Sequence, residues 1–241
     1  MQDSRSILGN FESLKLKVVE AAQRSGRKAS EIEIMAVTKL QAYEAVKSAY
    51  AAGLRRFGEN RVQEAASKYG DNERSELQAV RLDMIGQLQR NKINKALEIF
   101  DSIQSIGSGE LLVAVLERAL RFRQPLDLYL ELHTGEDTKS GFPGIDGLLR
   151  AVDRFLETGG DQKQVRLRGL MTMAPFTADR GMQRKSFRTL AKAAQEIRSR
   201  FDIEGFGELS MGMSSDFETA IEEGSTLIRI GTALFGSREQ P

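Results

Sequence analysis

Cysteine is absent from the 241 residues and histidine occurs once. That absence closes off disulfide frameworks, thiolate metal sites and thiol nucleophiles, and points to a reducing compartment, with the cytoplasm as the expected location. Charge of one sign is also lacking, because 35 Lys and Arg face 34 Asp and Glu for a net charge of +1. Such a balance gives no global field for nucleic acid or an anionic membrane, and with no tryptophan and 7% aromatics there is no stacking platform either. No run reaches the roughly 18 apolar residues of a membrane span. The segment Met1 to Phe11, carrying Asp3, Arg5 and Asn10, lacks the apolar centre of a secretory signal. A chain of this length can remove about 70–75% of its unfolded surface from water, so it needs no structural metal.

Present instead is an alternation of short apolar runs with amphipathic segments along nearly the whole chain, the pattern of parallel α/β architecture. Strands are predicted at Ile32 to Thr38, Arg55 to Gly58, Leu82 to Gly86, Ser102 to Ser105, Leu126 to Leu132, Leu167 to Thr172, Gly207 to Met211 and Leu227 to Ile230. Between them a 3.6-residue period marks helices such as Tyr43 to Ala52, Gly109 to Arg123, Ile145 to Glu157 and Arg180 to Phe201. Ser215 and Glu218 are spaced as a capping box for a helix over Asp216 to Glu223. Eight such units in this length favour a closed (β/α)8 TIM-type barrel over an open doubly wound sheet, because closure removes both sheet edges. A further helix, Ile7 to Arg24, precedes the first strand and is expected to plug the bottom of the barrel. Asp71 to Val80 reads as a polar loop, and the absence of any linker makes residues 1–241 a single domain.

In such barrels function sits at the C-terminal ends of the strands. Those ends carry Lys39, Glu59-Asn60, Gln87, His133, Thr172, Ser214 and Gly231-Thr232, with Arg229 inside the eighth strand. Lys39 closes the apolar run Ile34-Met35-Ala36-Val37-Thr38. A lysine there can snorkel to solvent, or, desolvated, act as a nucleophile toward an aldehyde. The turn Ser210-Met211-Gly212-Met213-Ser214-Ser215-Asp216 and the segment Arg229-Ile230-Gly231-Thr232-Ala233 follow strands seven and eight, where barrels often hold phosphate. Singly each is ordinary turn chemistry; with Lys39 they describe a phosphorylated aldehyde. The sole histidine, His133, reads as a partly exposed loop residue. The cations Arg180, Arg184, Lys185, Arg188, Lys192, Arg198 and Arg200 surround apolar Leu190, Ala191, Ala194 and Ile197, and read as a solvated helix face.

Seven ordered motifs carry a resemblance. They are Ala36-Val37-Thr38-Lys39, Phe57 to Glu64, Ile85 to Lys92, Lys139-Ser140-Gly141-Phe142, Arg168 to Met173, Leu209 to Phe217 and Arg229 to Gly236. The chain resembles the pyridoxal phosphate homeostasis proteins, whose fold is like the barrel domain of alanine racemase. The resemblance implies pyridoxal 5'-phosphate as cofactor, a Schiff base on Lys39, phosphate binding by Ser214, Gly231 and Thr232, and Arg229 facing the pyridine nitrogen. It also places Asn60, Ile85 and Met171 near the ring. The sequence departs in strand three, where Leu82-Asp83-Met84-Ile85-Gly86-Gln87 stands where Trp-His-Phe-Ile-Gly-His is common, so Gln87 replaces an imidazole.

By this resemblance the chain is a carrier that holds and delivers its cofactor, with PLP-dependent acceptor enzymes as partners. An amino-acid racemase is the alternative. Racemisation needs a base on each face of the α-carbon, and in alanine racemase the second is a tyrosine from a further domain. Here Tyr43, Tyr50, Tyr69 and Tyr129 fall in predicted helices or inside strand five, and the chain ends soon after the eighth strand. Arg229 is expected to stay protonated and so to donate to the ring nitrogen without protonating it. A closed barrel also makes a monomer the expected state.

Overall fold

The computed structural model describes residues 4–70, 75–119, 121, 125–135, 140–158 and 164–236. Met1, Asp3, Asp71, Arg123 and Lys139, named above in the first segment, a loop, a helix end and one motif, lie outside the described residues. Strands β1 (Glu33–Val37), β2 (Arg56–Glu59), β3 (Arg81–Met84), β4 (Ser102–Ile106), β5 (Leu126–Glu131), β6 (Val165–Met171), β7 (Glu208–Ser210) and β8 (Leu227–Ile230) close into a barrel in chain order. Every pairing is parallel, including β1 with β8, so no edge is left open. This is a (β/α)8 TIM-type barrel with an extra N-terminal helix. β8 has its predicted limits, and the other strands differ from theirs by one or two residues at an end.

The outer layer contains α1 (Ser4–Arg24), α2 (Tyr43–Ala51), α3 (Val62–Lys68), α4 (Ile93–Ile99), α5 (Gly109–Ala119), α6 (Ile145–Glu157), α7 (Arg180–Arg200), α8 (Phe217–Glu222) and α9 (Thr232–Phe235). α6 matches its prediction, and α5 is described from Gly109 to Ala119. One hydrophobic cluster joins the helices to the outward residues of the strands, for example Phe57, Leu82 and Ile228 to Val46, Leu97 and Phe187. Burying each such side chain contributes roughly 1.5–3 kcal/mol.

Two predictions are corrected here. α1 does not plug the bottom of the barrel; it lies outside, against α2, α8 and α9. Its stripe Ile7, Phe11, Leu14, Val18, Ala21 and Ala22 is buried, Asn10 Nδ2 donates to the Leu234 carbonyl at 2.9 Å, and Arg24 pairs with Glu218 and Glu222. The cause is the brevity of α9, four residues long, which leaves the outside of β8 to be covered by another helix. The capping box does not form either. α8 starts at Phe217 with Asp216 as N-cap and no side-chain cap bond. Asp216 Oδ1 instead accepts from the Met213 N–H at 2.6 Å, and Glu218 turns to Arg24.

The bottom is closed by charge. Alternate strand residues point inward, and at this end they form a hydrogen-bonded network instead of the usual branched apolar layers. Arg56, 2% exposed, donates through Nε and Nη2 to both oxygens of fully buried Asp83 at 3.0 Å each. Its Nη2 also reaches Tyr129 Oη at 2.8 Å, and that hydroxyl donates to Glu208 at 2.6 Å. Glu33 and Glu208 pair with Arg56 as well, and Asp127 pairs with Arg81 and Arg166.

Burial opposes the charge on Asp83, but Arg56, by attraction and hydrogen bond, and then Arg81 and Ser102 outweigh it, so the carboxyl is held below its ordinary range. Glu208 is likewise depressed: burial opposes its charge, and Tyr129, Arg56 and Arg168 overcome that. Depressed carboxylates contribute stability above their unfolded pKa of about 4, and that contribution is lost as pH falls through the folded values. Asp83→Asn, which keeps the shape and removes the charge, should cost about 3–5 kcal/mol. Denaturant unfolding should show the loss near neutral pH, and the difference from the parent chain should shrink on acidification.

Candidate functional site

The C-terminal ends of the strands surround a cavity of about 800 Å³. Of the residues predicted to form a site, Lys39, Asn60, Ile85, Ser214, Arg229, Gly231 and Thr232 line it. Met171 does not; it ends β6 with 1% exposure, and Met173, two residues on, lines the wall instead. None of the four tyrosines lines the cavity. Gln87 does, whereas half-buried His133 and buried Thr172 do not.

Lys39 sits on a clamped turn. The preceding carbonyl, of Thr38, accepts from Lys68 Nζ at 2.6 Å. The following residue, Leu40, has φ of 59°, in the left-handed region, and its N–H donates to Glu64. That conformation costs roughly 1–2 kcal/mol for a residue with a Cβ, and the Glu64 carboxylate holds it. Lys68 Nζ also pairs with Glu59 and Glu64 at 2.8 and 3.0 Å. Behind them Thr38 Oγ1 donates to Glu59 Oε1 at 2.7 Å and lies 2.9 Å from Tyr69 Oη. Burial pushes the Glu59 carboxyl upward against the pull of Lys68 and Thr38, and its Oε2 has no hydrogen-bond partner. Next to this turn Gly86 brings β3 against β2, for a Cβ there would stand 2.3 Å from the Asn60 carbonyl oxygen.

On the β7–β8 side, donors converge. Ser214 Oγ accepts from the N–H groups of Gly231 and Ala233 at 3.3 and 3.1 Å, so two amides and a hydroxyl point at one place in the cavity wall. Below them Arg229 is 4% exposed. Its Nη1 donates to the carbonyl and hydroxyl of Ser210 at 2.6 and 2.8 Å, and its Nη2 to the Thr172 carbonyl at 2.8 Å. Ser210 Oγ donates to Gln104 Oε1 at 2.6 Å, and Gln104 Nε2 donates to Asp83 at 2.8 Å. One directed chain thus runs from the charged bottom to Arg229. Burial lowers the Arg229 pKa to about 10, with Asp216 and Glu131 pulling the other way. The shift is downward from the ordinary arginine value, and the guanidinium stays charged at neutral pH.

The sequence reading missed Glu131. It ends β5 at 2% exposure and lines the cavity, with Ser140 Oγ donating to its Oε1 at 3.0 Å. Burial pushes its carboxyl up, against Ser140, Arg229 and His133. The signal was the two-residue period of Asp127, Tyr129 and Glu131, which puts three polar groups on the inner face of one strand. The cations of α7 also resolve: Arg184 and Arg188 pair with Glu222 and Glu223 and fasten α7 to α8.

Comparison with known proteins gives four findings. The family model of the alanine racemase N-terminal domain matches residues 12–239. The pyridoxal phosphate homeostasis protein of Pseudomonas aeruginosa is 36% identical over 239 residues, 97% of this chain and 96% of that one. Among solved structures, PipY of Synechococcus elongatus with PLP bound has a TM-score of 0.79 at 34% identity, covering 95% of this chain and 100% of that one. Alanine racemase of Streptomyces coelicolor shares the fold alone, at TM-score 0.73 and 20% identity, with 59% of its length covered.

Proposed function

The chain belongs to the family of pyridoxal phosphate homeostasis proteins, and on that premise we propose that it binds pyridoxal 5'-phosphate in this cavity. Lys39 holds the cofactor as a Schiff base, and the protein serves intracellular homeostasis and delivery of the cofactor to acceptor enzymes, as one barrel domain and as a monomer.

The observation that carries the reading is the meeting, in one cavity, of the Lys39 amine, the buried Arg229 cation and the two amides turned to Ser214. This donor set fits the group: the amides of Gly231 and Ala233 with the hydroxyls of Ser214 and Thr232 suit a phosphate, and Arg229 suits a ring nitrogen. Asn60 and Ile85 wall the space between. When bound, the cofactor supplies an electrophilic carbon and an electron-withdrawing ring. Lys39 provides the amine, from a turn fixed by Lys68 on one side and Glu64 on the other. Arg229 can donate a hydrogen bond but, still cationic at neutral pH, gives up no proton to a ring nitrogen. An unprotonated ring is a weak electron sink, which supports holding over turnover.

Borohydride reduction of the cofactor-loaded protein should place the label on Lys39 in peptide mapping. Lys39→Ala should lose both the label and the visible absorbance, while retaining weaker noncovalent binding. Label on any other residue of the loaded parent chain contradicts the assignment.

If the protein is a carrier, α-proton exchange of amino acids in heavy water should stay below about 1 s⁻¹, the low end of ordinary enzyme rates. Rates at or above that value would favour a racemase.

Sedimentation at micromolar concentration should give the mass of one chain, and a stable dimer would contradict the monomer.

A further inference from the structure

Glu131 is the one carboxylate among the described residues lining the cavity, and the reading above gives it no task. It ends β5, which in a closed eight-stranded ring stands diametrically opposite β1. Glu131 and Lys39 therefore approach the cavity from facing walls. Among the described residues Ser140 is the only hydrogen-bond donor to the carboxylate. Arg229 attracts it at a distance, but the bonds Arg229 makes go to Ser210 and Thr172. A buried carboxylate with a single donor carries a desolvation cost that one hydrogen bond does not offset, and such uncompensated groups concentrate where a ligand completes them.

The surroundings hold Glu131 in place. The Phe142 N–H donates to the Glu131 carbonyl at 2.7 Å, and the His133 N–H donates to the Phe142 carbonyl at 2.9 Å, so the Ser140 segment is fastened beside β5. Gly141 makes this possible with φ of +123°, and a Cβ there would stand 2.8 Å from the His133 nitrogen.

We propose that Glu131 is a subsite for a small primary ammonium group, such as that of an amino acid, and takes the proton the amine must lose before it displaces the cofactor from Lys39. The proposal rests on the reading of Lys39 given above. In the step, an N–H bond of the ammonium breaks, its proton passes to a Glu131 oxygen, and its electron pair stays on nitrogen. That pair forms a new bond to the carbon linked to Lys39. The bond from that carbon to Lys39 then breaks, and Lys39 leaves as an amine that takes up a proton in turn. No oxidant or reductant is involved, and the number of protons is conserved.

Glu131→Gln keeps the shape and the Ser140 contact while removing the base. Occupancy of Lys39 is first measured by mass after borohydride; an unlabelled parent chain defeats the reading of Lys39, independently of Glu131. With occupancy equal in both proteins, displacement is followed by absorbance near neutral pH, using alanine and then methoxyamine, which is neutral there and needs no base. Glu131→Gln should slow displacement by alanine about 10²-fold, the low end of a general-base contribution, and leave methoxyamine unchanged. Equal slowing of both probes would reduce Glu131 to a shaping role, and no slowing of alanine would remove it from the step; either result overturns the proposal. In the cofactor-free chain with labelled glutamate carboxyl carbons, methylamine should shift the Glu131 resonance, assigned by its loss in Glu131→Gln, and acetate should not. A resonance unmoved by methylamine likewise overturns it.

Discussion

The structure depends on the buried pairing of Arg56 with Asp83. A TIM barrel ordinarily fills its inside with branched apolar side chains; this one fills the lower half with charge, and a buried charge is tolerable only when paired and hydrogen-bonded. Arg56 binds both oxygens of Asp83 and still reaches Tyr129, Glu33 and Glu208. Asp83 in turn accepts from Ser102 and Gln104. Because a carboxylate accepts only, it fixes the Gln104 amide with its nitrogen downward and its oxygen toward Ser210. Ser210 can then donate below and accept from Arg229 above. The orientation of the cation beside the cavity is set at the opposite end of the barrel.

Around the cavity, burial acts on Arg229, Glu59 and Glu131, and their neighbours correct it unequally. Arg229 is lowered, yet not enough to discharge it. Glu59 and Glu131 are raised by burial, which outweighs Lys68 and Thr38 at the one and Ser140, Arg229 and His133 at the other. At the bottom the same burial is outweighed, and Asp83 and Glu208 are depressed. One end of the barrel is thus a densely paired network, in which Arg81 Nε is the one buried side-chain polar atom without a hydrogen-bond partner among the described residues, and the other end keeps unsatisfied capacity. The former resists change; the latter suits a ligand.

Much of this was legible in the sequence because it is local. Leu227 to Ile230 and Ile145 to Glu157 declare themselves by composition and period. Lys39, Ser214 and Gly231 follow strand ends and Arg229 lies inside the eighth strand, where barrel geometry assigns a direction without knowledge of contacts. The illegible parts depend on partners far along the chain. Asp83 looks like a departure from an aromatic and imidazole pattern until Arg56, on the adjacent strand, explains it. Asp127, Tyr129 and Glu131 alternate as a half-exposed strand would, and only closure of the barrel turns that polar face inward. Ser215 and Glu218 have capping spacing, but Arg24 claims Glu218 through a contact no local rule contains. Met171 and Met173 differ only in which side of a strand end they occupy.

α1 has a consequence for the order of assembly. It precedes the barrel strands in the chain, and the bond from Asn10 to the Leu234 carbonyl spans 224 residues of sequence, with those from Arg24 to Glu222 and Glu218 spanning 198 and 194. During synthesis the apolar stripe from Ile7 to Ala22 waits for α8 and α9 to emerge. Contacts of such separation form slowly and leave apolar surface uncovered meanwhile. The full docking site of α1 therefore exists only once the last βα unit is in place, and its seating joins the two ends of the barrel's chain.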